Sequence, residues 1–392
     1  MPHFKYVIVG AGMTAASAVQ GIRELDPMGS IALIGDDPEP PYDRPPLSKG
    51  LWKGKALDSI WRLPQGHAVE LFLGRTVRSI ETGGKQVQDD RGASYTYDRL
   101  LLATGGTPRR LPFGGEDIIY FRTLADYRRL REMCAHSEHF GVIGGGFIGS
   151  EIAAALAMSG KKVTMLLPEK GIGTRVYPRA LSRFLTDYFG EKGVEVLTGV
   201  NVTKYDKKEG AYLLTTDQGH HVAVDGVIAG IGIVPNMALA QTAGLQVDNG
   251  IVVDEMLRTD YPDIFAAGDV AEFPSLALGK RLRVEHEDNA NMMGKQAGRN
   301  MTGASEPYQH LSYFYSDLFE LGYEAVGELD PRLETFVDWK EPFKQGVIYY
   351  LADGRVRGVL LWNVWDAVPA ARALIVEPGP FKAADLRNRL PG

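Results

Sequence analysis

A single cysteine, Cys134, stands among 392 residues. One thiol excludes an intrachain disulfide, a Cys-x-x-Cys redox pair and a cysteine-ligated cluster on this chain, and it suits a reducing compartment. No run of sequence approaches the roughly 18 apolar residues of a membrane-spanning helix. Basic residues are outnumbered and the net charge is -6, so the chain carries no bulk footprint for nucleic acid. There is no low-complexity tract. The first apolar run begins within a few residues of Met1, which leaves no room for a signal peptide. Together these absences lead us to expect a soluble, cytoplasmic protein.

Glycine is plentiful, at 46 residues, and 44% hydrophobic content is enough for two or three domains with real cores. The glycines matter most where they interrupt strands. Tyr6-Val7-Ile8-Val9 is short and β-branched and reads as a buried strand. It breaks at Gly10-Ala11-Gly12, and a helical pattern starts near Thr14. Gly10 permits a tight turn, Gly12 lets a pyrophosphate approach the backbone, and the small Ala15 lets the helix pack close on the strand. The helix N-terminus offers unpaired N–H groups to phosphates. A second strand, 31–34, ends at Asp36-Asp37, where an acid accepts a ribose hydroxyl. A glycine-rich triplet alone is weak evidence. Strand, turn, helix, strand and acid in order point to a dinucleotide site; the bland alternative is a βα turn that binds nothing.

Residues 38–49, PEPPYDRPPLSK, hold five prolines and read as a stiff, extended loop carrying Arg44 and Lys49. Composition alone favours a solvated surface loop over a cofactor contact. Strands with turns at Gly83-Gly84 and Arg91-Gly92 lead to Leu100-Leu101-Leu102 and the small run Ala103-Thr104-Gly105-Gly106. The opening pattern then repeats. Phe140-Gly141-Val142-Ile143 is a strand, Gly144-Gly145-Gly146-Phe147-Ile148-Gly149 fits G-x-G-x-x-G, a small-residue helix is expected over 150–159, and a strand over 163–167 leads to Glu169. Two complete units imply two dinucleotides. Glu169 accepts a free 2′-hydroxyl and repels a 2′-phosphate, which favours NAD over NADP; Arg175 works the other way.

Further on, a turn is expected at 206–210, and residues 225–232 read as one apolar, glycine-spaced strand. Ile264-Phe265-Ala266-Ala267 is a short strand with Asp269 at its end. Asp269 reads either as an acceptor for a sugar-like hydroxyl, with a helix beyond it aimed at the same place, or as a simple N-cap. His286, in Val284-Glu285-His286-Glu287-Asp288, is either a pH-responsive group at a site or exposed at a helix start. With no second histidine or cysteine nearby, it does not suggest a metal. Alternating strands from about Pro307, including 346–350 and 356–362, precede a helix at 369–375, and Trp362-Asn363-Val364-Trp365 reads as core aromatics.

The order of parts resembles the two-dinucleotide flavoprotein reductases with a glutathione-reductase-like fold. Within them it is similar to the ferredoxin and rubredoxin reductase branch that includes apoptosis-inducing factor. YDRPPLSK, LLATGGTPR, IGGGFIGSE, IFAAGD, VEH, GYEAVG and LLWNVWDAVPAAR carry the likeness over nearly the whole chain. The resemblance implies an α/β fold of two Rossmann-like domains plus a C-terminal α+β domain. It implies an FAD-binding domain over 1–112 and 246–305, an NAD-binding domain over 113–245, and the C-terminal domain over 306–392. By position it implies FAD contacts at Gly10, Gly12, Thr14, Ala15, Asp36, Asp37, Arg44, Lys49, Val77, Arg122, Asp269, His286 and Tyr315. NADH contacts are implied at Gly146, Phe147, Ile148, Glu169, Arg175, Gly232, Glu285 and Glu324. Lys49 and Glu151 resemble a catalytic pair beside the flavin N5, where a fixed cation favours the electron-rich reduced ring. Tyr315 stands where the family often has Trp.

The implied activity is an FAD-dependent NADH oxidoreductase that passes hydride to the flavin and, lacking a dithiol, passes electrons to an outside acceptor such as a small iron–sulfur protein. The alternative is a redox sensor in which NADH forms a lasting charge-transfer complex that controls dimerisation or partner binding.

Overall fold

The computed structural model describes residues 1–62, 68–208 and 210–391. Glu209, inside the expected turn at 206–210, lies outside them. The chain divides into two compact units. The first comprises Met1–Asp43, Ala56–Thr107 and Val234–Ser312; the second comprises Arg44–Lys55, Pro108–Ile233 and Tyr313–Gly392.

The first unit is built on a seven-stranded sheet. Four parallel strands, Val69–Leu73, Ile31–Gly35, His3–Val9 and Ser94–Leu102, lie side by side in that order, and Ile264–Ala266 pairs parallel with Ser94–Leu102 at Leu100–Leu102. Gln86–Asp89 and Val77–Glu81 extend it antiparallel. Val7, Ile8, Leu33, Leu100 and Leu101 are wholly buried, as expected of a parallel sheet covered on both faces. One face packs on the helix Met13–Leu25, which is itself crossed by Glu287–Met301. The crossing is close because small residues line it: a Cβ on Gly21 would lie 2.0 Å from the Lys295 carbonyl oxygen, and one on Gly298 would lie 2.1 Å from that of Ala18.

The second unit repeats the parallel plan with the order Val194–Thr198, Lys162–Leu167, His139–Ile143, Gly226–Ala229, Ile118–Ile119. A three-stranded antiparallel sheet, Val202–Lys208, Ala211–Thr216 and His221–Val224, joins its core through Leu214 and Val224. The same unit holds a five-stranded antiparallel sheet ordered Tyr313–Leu318, Leu321–Gly327, Arg355–Trp362, Gln345–Ala352, Glu334–Glu341, with the helix Val368–Val376 packed on it.

Several elements differ from the sequence reading. The proline-rich loop is not extended throughout: Pro45–Leu47 is a turn of 3-10 helix, because two consecutive prolines preset φ where their missing N–H groups are not needed. The helix expected over 150–159 already starts at Phe147, capped by Gly146. The strand expected over 225–232 ends at Ala229, because Gly230 passes so close to the helix that its Cβ would lie 2.7 Å from the Gly149 nitrogen, and Gly232 turns the chain at φ +91. Asp269 is followed by a strand, Ala271–Ser275, after one 3-10 turn at Gly268–Val270 whose N-cap is Ala267. The helix expected there begins only at Glu287. Four described helices are not anticipated by the sequence reading, Leu124–His136, Arg179–Glu191, Ala238–Thr242 and Ala383–Leu386; the first opens with a Thr123–Asp126 capping box.

Candidate dinucleotide sites and the buried lysine–glutamate pair

The same turn is made twice. Gly10 has φ +114, and a Cβ there would sit 2.2 Å from the Ala103 carbonyl oxygen; Gly144 has φ +105, and its Cβ would sit 2.5 Å from that of Gly230. Only glycine fits either position. Two residues on, Gly12 and Gly146 cap the helices Met13–Leu25 and Phe147–Met158 in extended conformation, with no side-chain cap. A Cβ at either would meet nothing within 4 Å. The space beside each cap is therefore open, and a helix N-terminus directs backbone N–H groups towards it, which is what a pyrophosphate needs. The residues present fit two dinucleotides.

In the first unit the turn gathers most of its candidates. Thr14 and Ala15 are buried in the first turn of the helix. Gly268 lies against Thr14, its would-be Cβ 2.3 Å from Oγ1, and this brings Asp269 to the same end of the helix. Asp36 is exposed and Asp37 half-buried, where Asp37 accepts a hydrogen bond from the Tyr42 hydroxyl at 2.8 Å. The amides of Gly74 and Arg75 donate to the Asp37 and Gly35 carbonyls, and Val77 follows them into the core. His286 is the N-cap of Glu287–Met301 and is half-buried rather than exposed. Burial holds its pKa down to about 4, with the Asp269 and Asp288 carboxylates pulling the other way. Glu285 is exposed and paired with Arg283 at 2.6 Å.

In the second unit Gly146, Phe147 and Ile148 are exposed at the helix start, and Gly232 is exposed beyond the strand end. Glu169 stands at the end of Lys162–Leu167 as expected, but its Oε1 accepts from Arg175 at 2.9 Å. The two residues expected to pull the choice of nucleotide in opposite directions are thus an ion pair. Arg44 donates to the Arg122 carbonyl at 3.3 Å.

The strongest cluster in this unit surrounds Glu151, which lies in the helix Phe147–Met158 and is 3% exposed. Its Oε2 accepts from Lys49 Nζ at 2.8 Å and from Ser48 Oγ at 2.6 Å; its Oε1 accepts from Ser316 Oγ at 2.6 Å. Lys49 Nζ also stands 5.1 Å from the centre of the Tyr315 ring. A buried carboxylate with three donors, one of them a cation, is a satisfied, fixed charge pair. Tyr315 faces Glu324 across the strands Tyr313–Leu318 and Leu321–Gly327. Burial, and then Asp366, push the Glu324 carboxyl up, and its Oε2 is buried without a hydrogen-bond partner. Phe147 meets Phe314 with ring centres 5.2 Å apart, so the second glycine turn and this sheet touch. Ser48 and Ser316 were not singled out in the sequence. Ser316 could have been noticed as the one polar residue on the inward face of YFYSDL.

Among the described residues, no group of three or more His, Cys, Asp or Glu side chains could hold a metal ion. Nor is any described helix long and apolar enough to cross a membrane.

Residues 4–294 match the family described as pyridine nucleotide-disulphide oxidoreductase. Residues 297–341 and 337–377 match the C-terminal region of mitochondrion-associated apoptosis-inducing factor. The chain is 36% identical to putidaredoxin reductase CamA of Pseudomonas putida over 90% of its own length and 87% of the relative's. It is 33% identical to mitochondrial apoptosis-inducing factor 1 of Dictyostelium discoideum, covering 95% of this chain and 78% of that one. It superposes on the reductase in the covalent putidaredoxin reductase–putidaredoxin complex with a TM-score of 0.90, 32% identity, and coverage of 98% and 95% of the two chains.

Proposed function

Because the chain belongs to the pyridine nucleotide-disulphide oxidoreductase family, we propose that it is an FAD-dependent NADH oxidoreductase that delivers electrons to a small iron–sulfur protein. The observation that carries this reading is the pair of glycine turns, each open above a helix N-terminus, in a chain with no second cysteine. A bound flavin would supply hydride acceptance from nicotinamide and release of electrons one at a time. The chain's own part is to hold and to orient. The first turn, with Gly10, Gly12, Thr14, Ala15, Asp36, Asp37, Val77, Asp269 and His286, binds FAD together with Arg44, Arg122 and Tyr315. The second, with Gly146, Phe147, Ile148, Glu169, Arg175 and Gly232, binds NADH, with Glu285 and Glu324 as further contacts. Lys49, fixed by Glu151, presents its ammonium to the ring and favours negative charge there. Glu169 makes NADH the preferred donor.

In this proposal 1–112 and 246–305 bind FAD, 113–245 bind NAD, and 306–392 form the C-terminal α+β domain. The protein works in the cytoplasm, and a homodimer is compatible with it. The likeness to putidaredoxin reductase CamA and to the reductase–putidaredoxin complex supports a small protein as the acceptor. The match to the apoptosis-inducing factor C-terminal region supports a second reading, an NADH sensor with slow turnover.

Anaerobic stopped-flow mixing with NADH, followed by a [2Fe–2S] ferredoxin, separates the two. Fast bleaching of a yellow protein and fast recovery on adding ferredoxin are expected. A long-wavelength band that persists in air, with no response to ferredoxin, would favour the sensor. A colourless protein that cannot be loaded with FAD would end both.

A further inference from the structure

Glu151 is asked to hold Lys49 in one place, yet a carboxylate in a helix side chain can rotate. What stops it is a contact from elsewhere in the chain. Ser316 lies in the strand Tyr313–Leu318, is 1% exposed, and donates to Glu151 Oε1 at 2.6 Å. Ser48 and Lys49 occupy Oε2. With a donor on each oxygen the carboxylate plane is set, and with it the position of the lysine head. The residues on either side of Ser316 grip the same segment: the Tyr315 ring faces Lys49 Nζ at 5.1 Å, and Asp317 pairs with Lys53 at 3.0 Å. Three consecutive residues of one strand therefore clasp Glu151 and the segment that carries Lys49.

We propose that Ser316 is a positioning residue for electron transfer: its hydroxyl fixes the Glu151 carboxylate so that the Lys49 ammonium is held at one point. The proposal rests on the flavin reading above for its kinetic consequence, but not for its structural one. Removing the hydroxyl leaves a buried carboxylate oxygen without that donor. Part of that loss is relieved when Glu151 and Lys49 move together.

The test compares wild type, Ser316→Ala, Ser316→Thr, Glu151→Leu and the Ser316→Ala/Glu151→Leu double variant. Flavin reduction at saturating NADH is expected to slow about tenfold in Ser316→Ala, with KM for NADH unchanged and the flavin midpoint potential shifted. Ser316→Thr, which keeps the hydroxyl, restores both. In the Glu151→Leu background, loss of Ser316 has no further effect, because its acceptor is gone. Hydrogen exchange gives a second readout that needs no flavin. The Ser48 and Lys49 amides, which donate to the Pro45 and Pro46 carbonyls, lose about tenfold of their protection in Ser316→Ala and regain it in Ser316→Thr. An unchanged rate, potential and exchange in Ser316→Ala would overturn the proposal. So would an effect of equal size with and without Glu151, which is the signature of a packing role. A colourless preparation defeats the flavin reading alone, and the exchange experiment still decides the role of Ser316.

Discussion

The two glycine turns share a backbone and differ in what surrounds them. At the first, the helix behind the turn begins with buried residues, Met13, Thr14 and Ala15, and is locked by the crossing helix Glu287–Met301. At the second, Phe147 and Ile148 at the helix start are 36% and 37% exposed, and the helix hides a charge, Glu151, one turn further in. In the proposed assignment, the turn with the buried helix start holds the ligand that stays, and the turn with the exposed start holds the ligand that comes and goes. On that proposal, the same local code, strand–glycine–helix, serves a resident cofactor or a passing substrate according to how its surroundings are packed.

The sharpest way to break this comparison is to block each turn in the same manner. Gly10→Ala forces a Cβ into the Ala103 carbonyl at 2.2 Å, and Gly144→Ala forces one into that of Gly230 at 2.5 Å, each on a left-handed backbone. Gly10→Ala should yield protein without flavin, read from its visible spectrum. Gly144→Ala should stay yellow while its KM for NADH rises tenfold or more, about 1.4 kcal/mol. A yellow Gly10→Ala variant with normal kinetics would contradict the assignment.

The buried charge predicts a difference in stability between the two helices. Glu151→Ala leaves Lys49 without its carboxylate, and urea unfolding should report a loss of about 3 to 5 kcal/mol. Ser17→Ala in the first helix, whose contact with Asn291 is long at 3.4 Å, should cost about 1 kcal/mol or less. Equal losses would mean that the Glu151 network is not what holds the second helix.

Smaller effects sharpen the choice of nucleotide. Glu169→Ala removes the group that repels a 2′-phosphate and leaves Arg175 unopposed, so the ratio of kcat/KM for NADH over NADPH should fall several-fold. An unchanged ratio would remove Glu169 from that role. The weakest effect belongs to His286. Its folded pKa, about 4, lies below the unfolded value of about 6.5. The unfolded chain therefore binds the proton first. The contribution of His286 is complete above about pH 6.5 and is lost as the pH falls towards 4. Thermal melts should show a shallower decline over that window in His286→Gln; an identical slope would contradict it.

Much of this was legible in the residues. The parallel strands His3–Val9, Ile31–Gly35, His139–Ile143 and Lys162–Leu167 were visible as short apolar runs, and both turns as glycines at fixed spacing, because local backbone demands write themselves into local sequence; Val69–Leu73 and Ile118–Ile119 were not read. The Lys49–Glu151 pair came from family likeness, since 102 positions separate its members and no periodicity joins them. Ser48 and Ser316 escaped for the same reason. The 3-10 turn at Pro45–Leu47 was hidden by reading proline only as a breaker. The early end of the strand at Ala229 depends on how closely Gly230 approaches Gly149, a contact between segments distant in sequence.

The central claim is that each turn grips its own dinucleotide, and a crystal grown with FAD and soaked anaerobically with NADH addresses it most directly. The account predicts FAD pyrophosphate density over Gly12 and NADH pyrophosphate density over Gly146. Density at only one turn, or one nucleotide filling both, would contradict it.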